Sequence, residues 1–101
     1  MPSKFEVRYL PIAQNDLLAT LDWIAKDSPA RALSFVGLLD KRIGALATHP
    51  QMGRVPRNER LRKIGYHLLI IEDYLVFYII RGQIVEIHRV LHGSRHLEEI
   101  L

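Results

Sequence analysis

The strongest constraint lies in residues 74–91, where two apolar runs rich in β-branched and aromatic side chains flank Arg81-Gly82-Gln83. Two such runs around a minimal glycine turn read as a β-hairpin. The first, residues 74–80, has no polar interruption. Its side chains are apolar on both faces and need cover on both, which predicts a central strand. The second run, residues 84–91, carries Arg89 among apolar neighbours and empties into His92-Gly93-Ser94-Arg95-His96. Arg89 reads either as an ion-paired structural residue, with Glu86 or Glu72 as partner, or as part of a binding face. A rigid strand ending in cations holds polar groups at a fixed position beside a core, which marks its exit as a candidate site.

The preceding chain must supply that cover. Residues 5–10 alternate apolar and charged, predicting a half-buried first strand that ends at Pro11. Ala13, Leu17, Leu21 and Ile24 recur at helical spacing and predict an amphipathic helix over residues 12–26, its apolar face widened by Leu18 and Trp23. Ser28-Pro29 reads as an N-cap followed by the first helical position, and Phe35, Leu39, Ile43 and Leu46 form the stripe of a second helix over residues 30–48. So short a break forces an antiparallel helix pair. Residues 49–56 hold two prolines and a glycine, which marks an ordered loop. Over residues 61–72 Ile64, Tyr66, Leu68 and Ile70 alternate, predicting a strand that turns at Glu72-Asp73. Ser94 as cap and Leu97, Ile100 and Leu101 as an inward face predict a short terminal helical turn.

The expected order is strand, helix, helix, strand, strand, strand: a two-layer α+β domain in which the helix pair covers one face of an antiparallel sheet. The opposite face is left partly open, as a binding surface or a dimer contact. At 101 residues one domain is expected, and the amino terminus lacks the apolar core of a signal peptide. No window is long and apolar enough to span a bilayer, so a cytoplasmic protein is expected. The absence of cysteine excludes disulfides, thiolate catalysis and cysteine-ligated zinc. His88, His92 and His96 are four residues apart, but a strand and Gly93 break any helical face that would gather them around a metal. No metal or cofactor is expected.

The net charge of +3 and pI near 9.5 favour an acidic partner without establishing nucleic-acid binding. Five of the fourteen basic residues, Arg54, Arg57, Arg60, Arg62 and Lys63, fall within ten positions with Glu59 as the acid among them. This run reads either as a solvated loop or as a contact surface.

The element order, Pro50-x-x-Gly53-Arg54, Tyr74-x-x-Phe77-Tyr78 and Ile87-x-Arg89-Val90-Leu91-His92-Gly93-x-Arg95 together resemble the ParE/RelE superfamily of bacterial toxins from type II toxin–antitoxin modules. The resemblance runs from Phe5 to Leu101, and the carboxyl-terminal block is closer to the ParE branch. That branch implies a plasmid-stabilising toxin without a catalytic site, one that binds DNA gyrase and traps its cleaved DNA complex. It also implies a cognate ParD-like antitoxin, a hetero-oligomeric assembly, and operator DNA bound through the antitoxin. Arg89, His92, Arg95 and His96 are then the expected target-binding residues, with the run 54–63 as a further basic contact. The RelE branch implies instead a ribosome-dependent mRNA endoribonuclease, for which His92 and Arg95 would be the acid and the phosphate clamp. Leu75 stands where that branch places an arginine, and residues 97–101 hold no tyrosine.

Overall fold

The computed structural model describes residues 4–93; the expected terminal turn over 94–101 lies outside the described residues. The elements are β1 (Glu6–Tyr9), α1 (Pro11–Asp27), α2 (Pro29–Gly44) with a 3₁₀ turn Ala45–Ala47, α3 (Glu59–Ile64), β2 (His67–Ile71), β3 (Tyr74–Arg81) and β4 (Ile84–His92). The strands form one sheet in the order β1-β4-β3-β2, packed on its helical side by α1 and α2. The α+β architecture read from the sequence is therefore present, with β3 and β4 as interior strands.

Local chemistry explains the boundaries. Pro11 opens α1, where its missing N–H costs nothing, and Ser28 Oγ accepts from the Arg31 N–H to cap α2. The stripe Phe35, Leu39, Ile43 and Leu46 is buried, as are Ala13 and Ile24 of α1, against Leu69, Ile71, Val76, Tyr78, Val85 and Ile87 of the sheet. Phe77 points the other way and joins Leu61 and Leu91 in a smaller cluster beneath α3, so successive residues of β3 serve opposite faces.

The structure departs from the sequence reading in four places. Residues 61–66 are not strand. Asn58 Oδ1 accepts from the Leu61 N–H, Glu59 sits in the first turn, and Gly65 at φ 105° closes a one-and-a-half-turn helix, returning its N–H to the Leu61 and Arg62 carbonyls. The strand begins only at His67, and Leu69 and Ile71 are its residues in the main core. Second, β1 runs parallel to β4 (Val7 beside Val85), so the sheet is mixed. The helical crossover between them supplies the long connection that parallel pairing requires. Third, Leu18 and Trp23 are 63% and 72% exposed. Each lies one residue, about 100° around the helix, from the buried stripe, and α2 does not reach them. Fourth, α2 stops at Gly44, short of the expected residue 48. Among the described residues no helix is long and apolar enough to cross a membrane.

Candidate functional site

β4 outruns β1. Their pairing ends at Tyr9 beside Ile87, the Leu10 N–H reaching the Ile87 carbonyl, whereas β4 continues to His92. On that uncovered flank α1 takes over. Asp16 Oδ2 accepts from the Val90 backbone N–H at 3.0 Å, and its two oxygens accept from Arg89 Nε (2.7 Å) and Nη2 (2.9 Å). One carboxylate thus satisfies a strand-edge donor and holds a guanidinium in a fork. Both side chains are largely buried, 14% and 15% exposed, and the hydrogen bond to Asp16 raises the Arg89 pKa above its usual value. Arg89 is ion-paired as one reading expected, but its partner is Asp16 and not Glu86 or Glu72. Glu72 occupies the β2–β3 turn at φ 53°.

Past this seam, β4 ends at the exposed His92, paired with Tyr74 of β3. The two rings meet edge to face at 5.2 Å, Tyr74 leans on Phe35 at 5.1 Å, and the Gly93 N–H is tied to the Asp73 carbonyl. Two adjoining grooves open here, both lined by Trp23, Tyr74 and His92; one extends to Asp27 and Arg31, the other to Asp16 and Thr20. The exposed indole of Trp23 therefore sits beside the imidazole of His92 on a surface fixed from beneath. Arg95 and His96 lie outside the described residues.

The sheet face away from the helices carries a second polar assembly. The β3–β4 register shifts between Phe77 and Tyr78, which leaves His88 as the extra residue of a bulge. His88 Nε2 lies 3.1 Å from Glu86 Oε1, and Nδ1 lies 3.1 Å from the Tyr66 hydroxyl. A carboxylate only accepts, so the bond to Glu86 runs from a protonated Nε2. Arg81 Nε donates to the same Glu86 oxygen at 2.9 Å. The bonds from His88 and Arg81 hold the Glu86 carboxyl below its usual range, while burial pushes the Tyr66 phenol up.

The five cations of residues 54–63 are all exposed, on a loop that is firmly built. The Tyr78 hydroxyl, in the core, donates to the Pro50 carbonyl (2.8 Å) and accepts from the Gly53 N–H (3.0 Å). A Cβ at Gly53 would stand 2.6 Å from that hydroxyl and 2.8 Å from the Leu68 carbonyl, so the loop approaches β2 and β3 too closely for any other residue. Arg54 exchanges both backbone hydrogen bonds with Leu68, and Arg62 Nη1 donates to the Arg57 carbonyl. Lys63 pairs with Glu59 at 3.2 Å on the surface.

The expected site residues therefore divide. His92 lies in the groove, Arg89 in the seam behind it, and Arg54, Arg57, Arg60, Arg62 and Lys63 on a separate platform. The sequence reading missed Asp16, an ordinary helix-surface acid by its spacing, and the Tyr66–His88–Glu86 chain, which a bulge assembles. Trp23 was legible as a residue but was assigned to the interior. Among the described residues, no cluster of three or more histidines and carboxylates is placed to hold a metal ion.

The family profile described as "ParE toxin of type II toxin-antitoxin system, parDE" matches residues 7–97. No curated protein matches the chain significantly. Among solved structures, the chromosomal ParDE toxin–antitoxin system from P. aeruginosa matches with a TM-score of 0.73 at 19% identity, over 90% of this chain and 98% of that one. The toxin–antitoxin complex RelBE2 from Mycobacterium tuberculosis matches with a TM-score of 0.60 at 23% identity, over 94% of this chain and 98% of that one. At these identities the two structures speak to the fold, and the profile to the family.

Proposed function

The chain belongs to the ParE toxin family of type II toxin–antitoxin systems, and from that premise we propose that it is a non-enzymatic toxin that binds DNA gyrase through the exit of β4 and is neutralised by a cognate antitoxin. The observation that carries this reading is the contrast between the two polar sites. The groups a phosphodiester cleavage would use are engaged: Arg89 with Asp16 in the seam, and on the open sheet face Arg81 with Glu86 and Tyr66 with His88. Cleavage would need these cations aimed at a phosphate and an unencumbered base and acid. His92 is exposed at the end of a rigid strand, its ring edge-to-face with Tyr74, and lines the same grooves as the exposed Trp23. A fixed aromatic and basic surface suits binding without chemistry.

The antitoxin reading rests on the apolar surface of the helix pair. Leu18, Trp23, Leu33 and Val36 are exposed along α1 and α2. A ParD-like segment, extended or helical, would cover them and the grooves beside His92, occluding the toxic surface. In such a hetero-oligomer operator DNA would be bound through the antitoxin.

A paired assay tests the proposal. Purified protein is added to a gyrase supercoiling reaction and, separately, to a translation mixture read by primer extension on the mRNA. Loss of supercoiling with intact mRNA is expected; codon-phased cuts with unaffected gyrase would overturn it in favour of a RelE-like endoribonuclease. At residue level, His92→Ala and Arg95→Ala reduce toxicity in cells while soluble yield is unchanged. Full toxicity of both variants would remove the β4 exit from the site.

A further inference from the structure

The last turn of the sheet leaves a backbone acceptor unused. The Gly93 N–H bonds inward to β3 at the Asp73 carbonyl, whereas the Val90 N–H points away from β3, to Asp16. In an antiparallel ladder the N–H and C=O of one residue face the same side, so the Val90 carbonyl also points outward, into the lane that β1 vacates beyond Tyr9. Asp16 satisfies the donor of Val90 and not its acceptor. Among the described residues none donates to that carbonyl.

The lane is a groove of about 490 Å³, walled by Ala19, Thr20 and Trp23 of α1 on one side and by Val90 and Leu91 of β4 on the other. Thr20 is the one buried polar residue among those described, 9% exposed, and its hydroxyl makes no hydrogen bond to any of them. A helical threonine can return its hydroxyl to a carbonyl one turn back, as Thr48 does to Ala45 after α2. Thr20 does not. The sealed side-chain atom without a partner among the described residues is His67 Nδ1, so the Thr20 oxygen opens onto the groove it lines. A buried hydroxyl and a strand-edge carbonyl, both unsatisfied and both facing one groove, call for a ligand that offers main-chain hydrogen bonds.

We infer that this lane seats an extended segment of the antitoxin, lying along β4 where β1 stops, with a backbone N–H donated to the Val90 carbonyl and a hydrogen bond to the Thr20 hydroxyl. The inference rests on the antitoxin reading above and sharpens it from "extended or helical" to extended at this place. A helix spends its own N–H groups internally and has none to give a strand edge, whereas an added strand offers one at every second residue. Ala19 leaves room for a main chain beside α1, and the indole of Trp23 with the ring of Tyr74 offers a wall for an alternate side chain. Trp23 also belongs to the exposed apolar surface of the helix pair, so a segment covering that surface continues into the lane.

The probe is the protein that neutralises this chain when the two are co-expressed, titrated by calorimetry into the full-length parent, Thr20→Val and Thr20→Ser. Thr20→Val keeps the shape and removes the hydroxyl, which should weaken binding by roughly 3–10-fold, while Thr20→Ser should stay within about twofold of the parent. The free chain should respond in the other sense. Its hydroxyl has no partner there, so the Tm of Thr20→Val should equal or exceed that of the parent, where a structural threonine would lose stability. In isotope-edited spectra of the complex, antitoxin residues in contact with Thr20 and Val90 should carry extended-chain carbon shifts. Equal affinities for parent and Thr20→Val, a lowered Tm of free Thr20→Val, or helical shifts at the contact would each overturn the inference while leaving the antitoxin reading in place. So would a Thr20→Val variant that binds antitoxin normally but inhibits gyrase less, which would give the lane to the target. If no protein neutralises and binds the parent, the antitoxin reading itself falls and takes the inference with it.

Discussion

Arg89 and the arginines of residues 54–63 are the same residue type put to opposite uses. Arg89 is folded into the seam between α1 and β4, 15% exposed, with its guanidinium committed to Asp16. The others stand at the surface of a braced loop. A charge buried against its counter-ion contributes to position, whereas a charge exposed at a fixed point can be reached by a partner. Counting cations along the chain does not separate the two; their burial does.

The sharpest way to break this comparison is to remove the carboxylate. Asp16→Ala takes the carboxylate away from a largely buried cation and leaves the Val90 N–H without that acceptor. The expected loss is about 3 kcal/mol, the lower end for a severed buried pair because Arg89 keeps some access to water. Urea denaturation measures it, and a loss below about 1 kcal/mol would mean the seam is no more than a surface contact. Gly53→Ala tests whether the basic loop is truly rigid. The added methyl would collide with the Tyr78 hydroxyl and the Leu68 carbonyl, at a cost of about 1–3 kcal/mol. A neutral result would show that the loop yields and that its arginines are not preorganised. At the small end, Lys63→Ala removes an exposed ion pair and should shift stability by less than about 0.5 kcal/mol. If it rivals Asp16→Ala, the distinction between buried and exposed charge collapses.

His67 adds a pH arm on the edge strand β2. It stacks on Tyr78 at 5.3 Å, its Nδ1 is buried without a partner, and burial lowers its pKa from the ordinary histidine value. The unfolded chain therefore takes up a proton more readily than the folded one. Stability is full above the unfolded value of about 6.5 and falls as pH drops below it. Thermal melts of His67→Asn between pH 7 and 5 should show a shallower decline than the parent; equal slopes would exclude His67 as the titrating group.

The sequence made the core legible because period and burial coincide there: Phe35, Leu39, Ile43 and Leu46 on α2, and the unbroken apolar run of β3. It failed where a stronger local signal was passed over, since Asn58 and Gly65 bracket α3 as cap and stop while the alternation from Ile64 to Ile70 ran through them. It failed for another reason at Asp16. No local rule joins a helix acid to a strand arginine 73 positions later; only the register that ends β1 at Ile87 makes the vacancy that Asp16 fills. At the candidate site, the basic exit of β4 and the run 54–63 could be read from composition. The exposure of Trp23 could not, because a helix periodicity says which residues are apolar and not how far a neighbour reaches.

The parallel pairing of β1 with β4 also bears on how the protein is born. Val7 must wait for Val85, so the sheet cannot close while the chain is still being made. At about 5–20 residues per second, the first strand spends roughly 4–16 s on the ribosome before its partner exists. During that interval the helix pair has no sheet to pack on, its apolar stripe is open to chaperones or to any partner already present, and the surface around His92 has not formed. The last described strand completes both the core and the surface around His92, so neither exists in the nascent chain until β4 has been made.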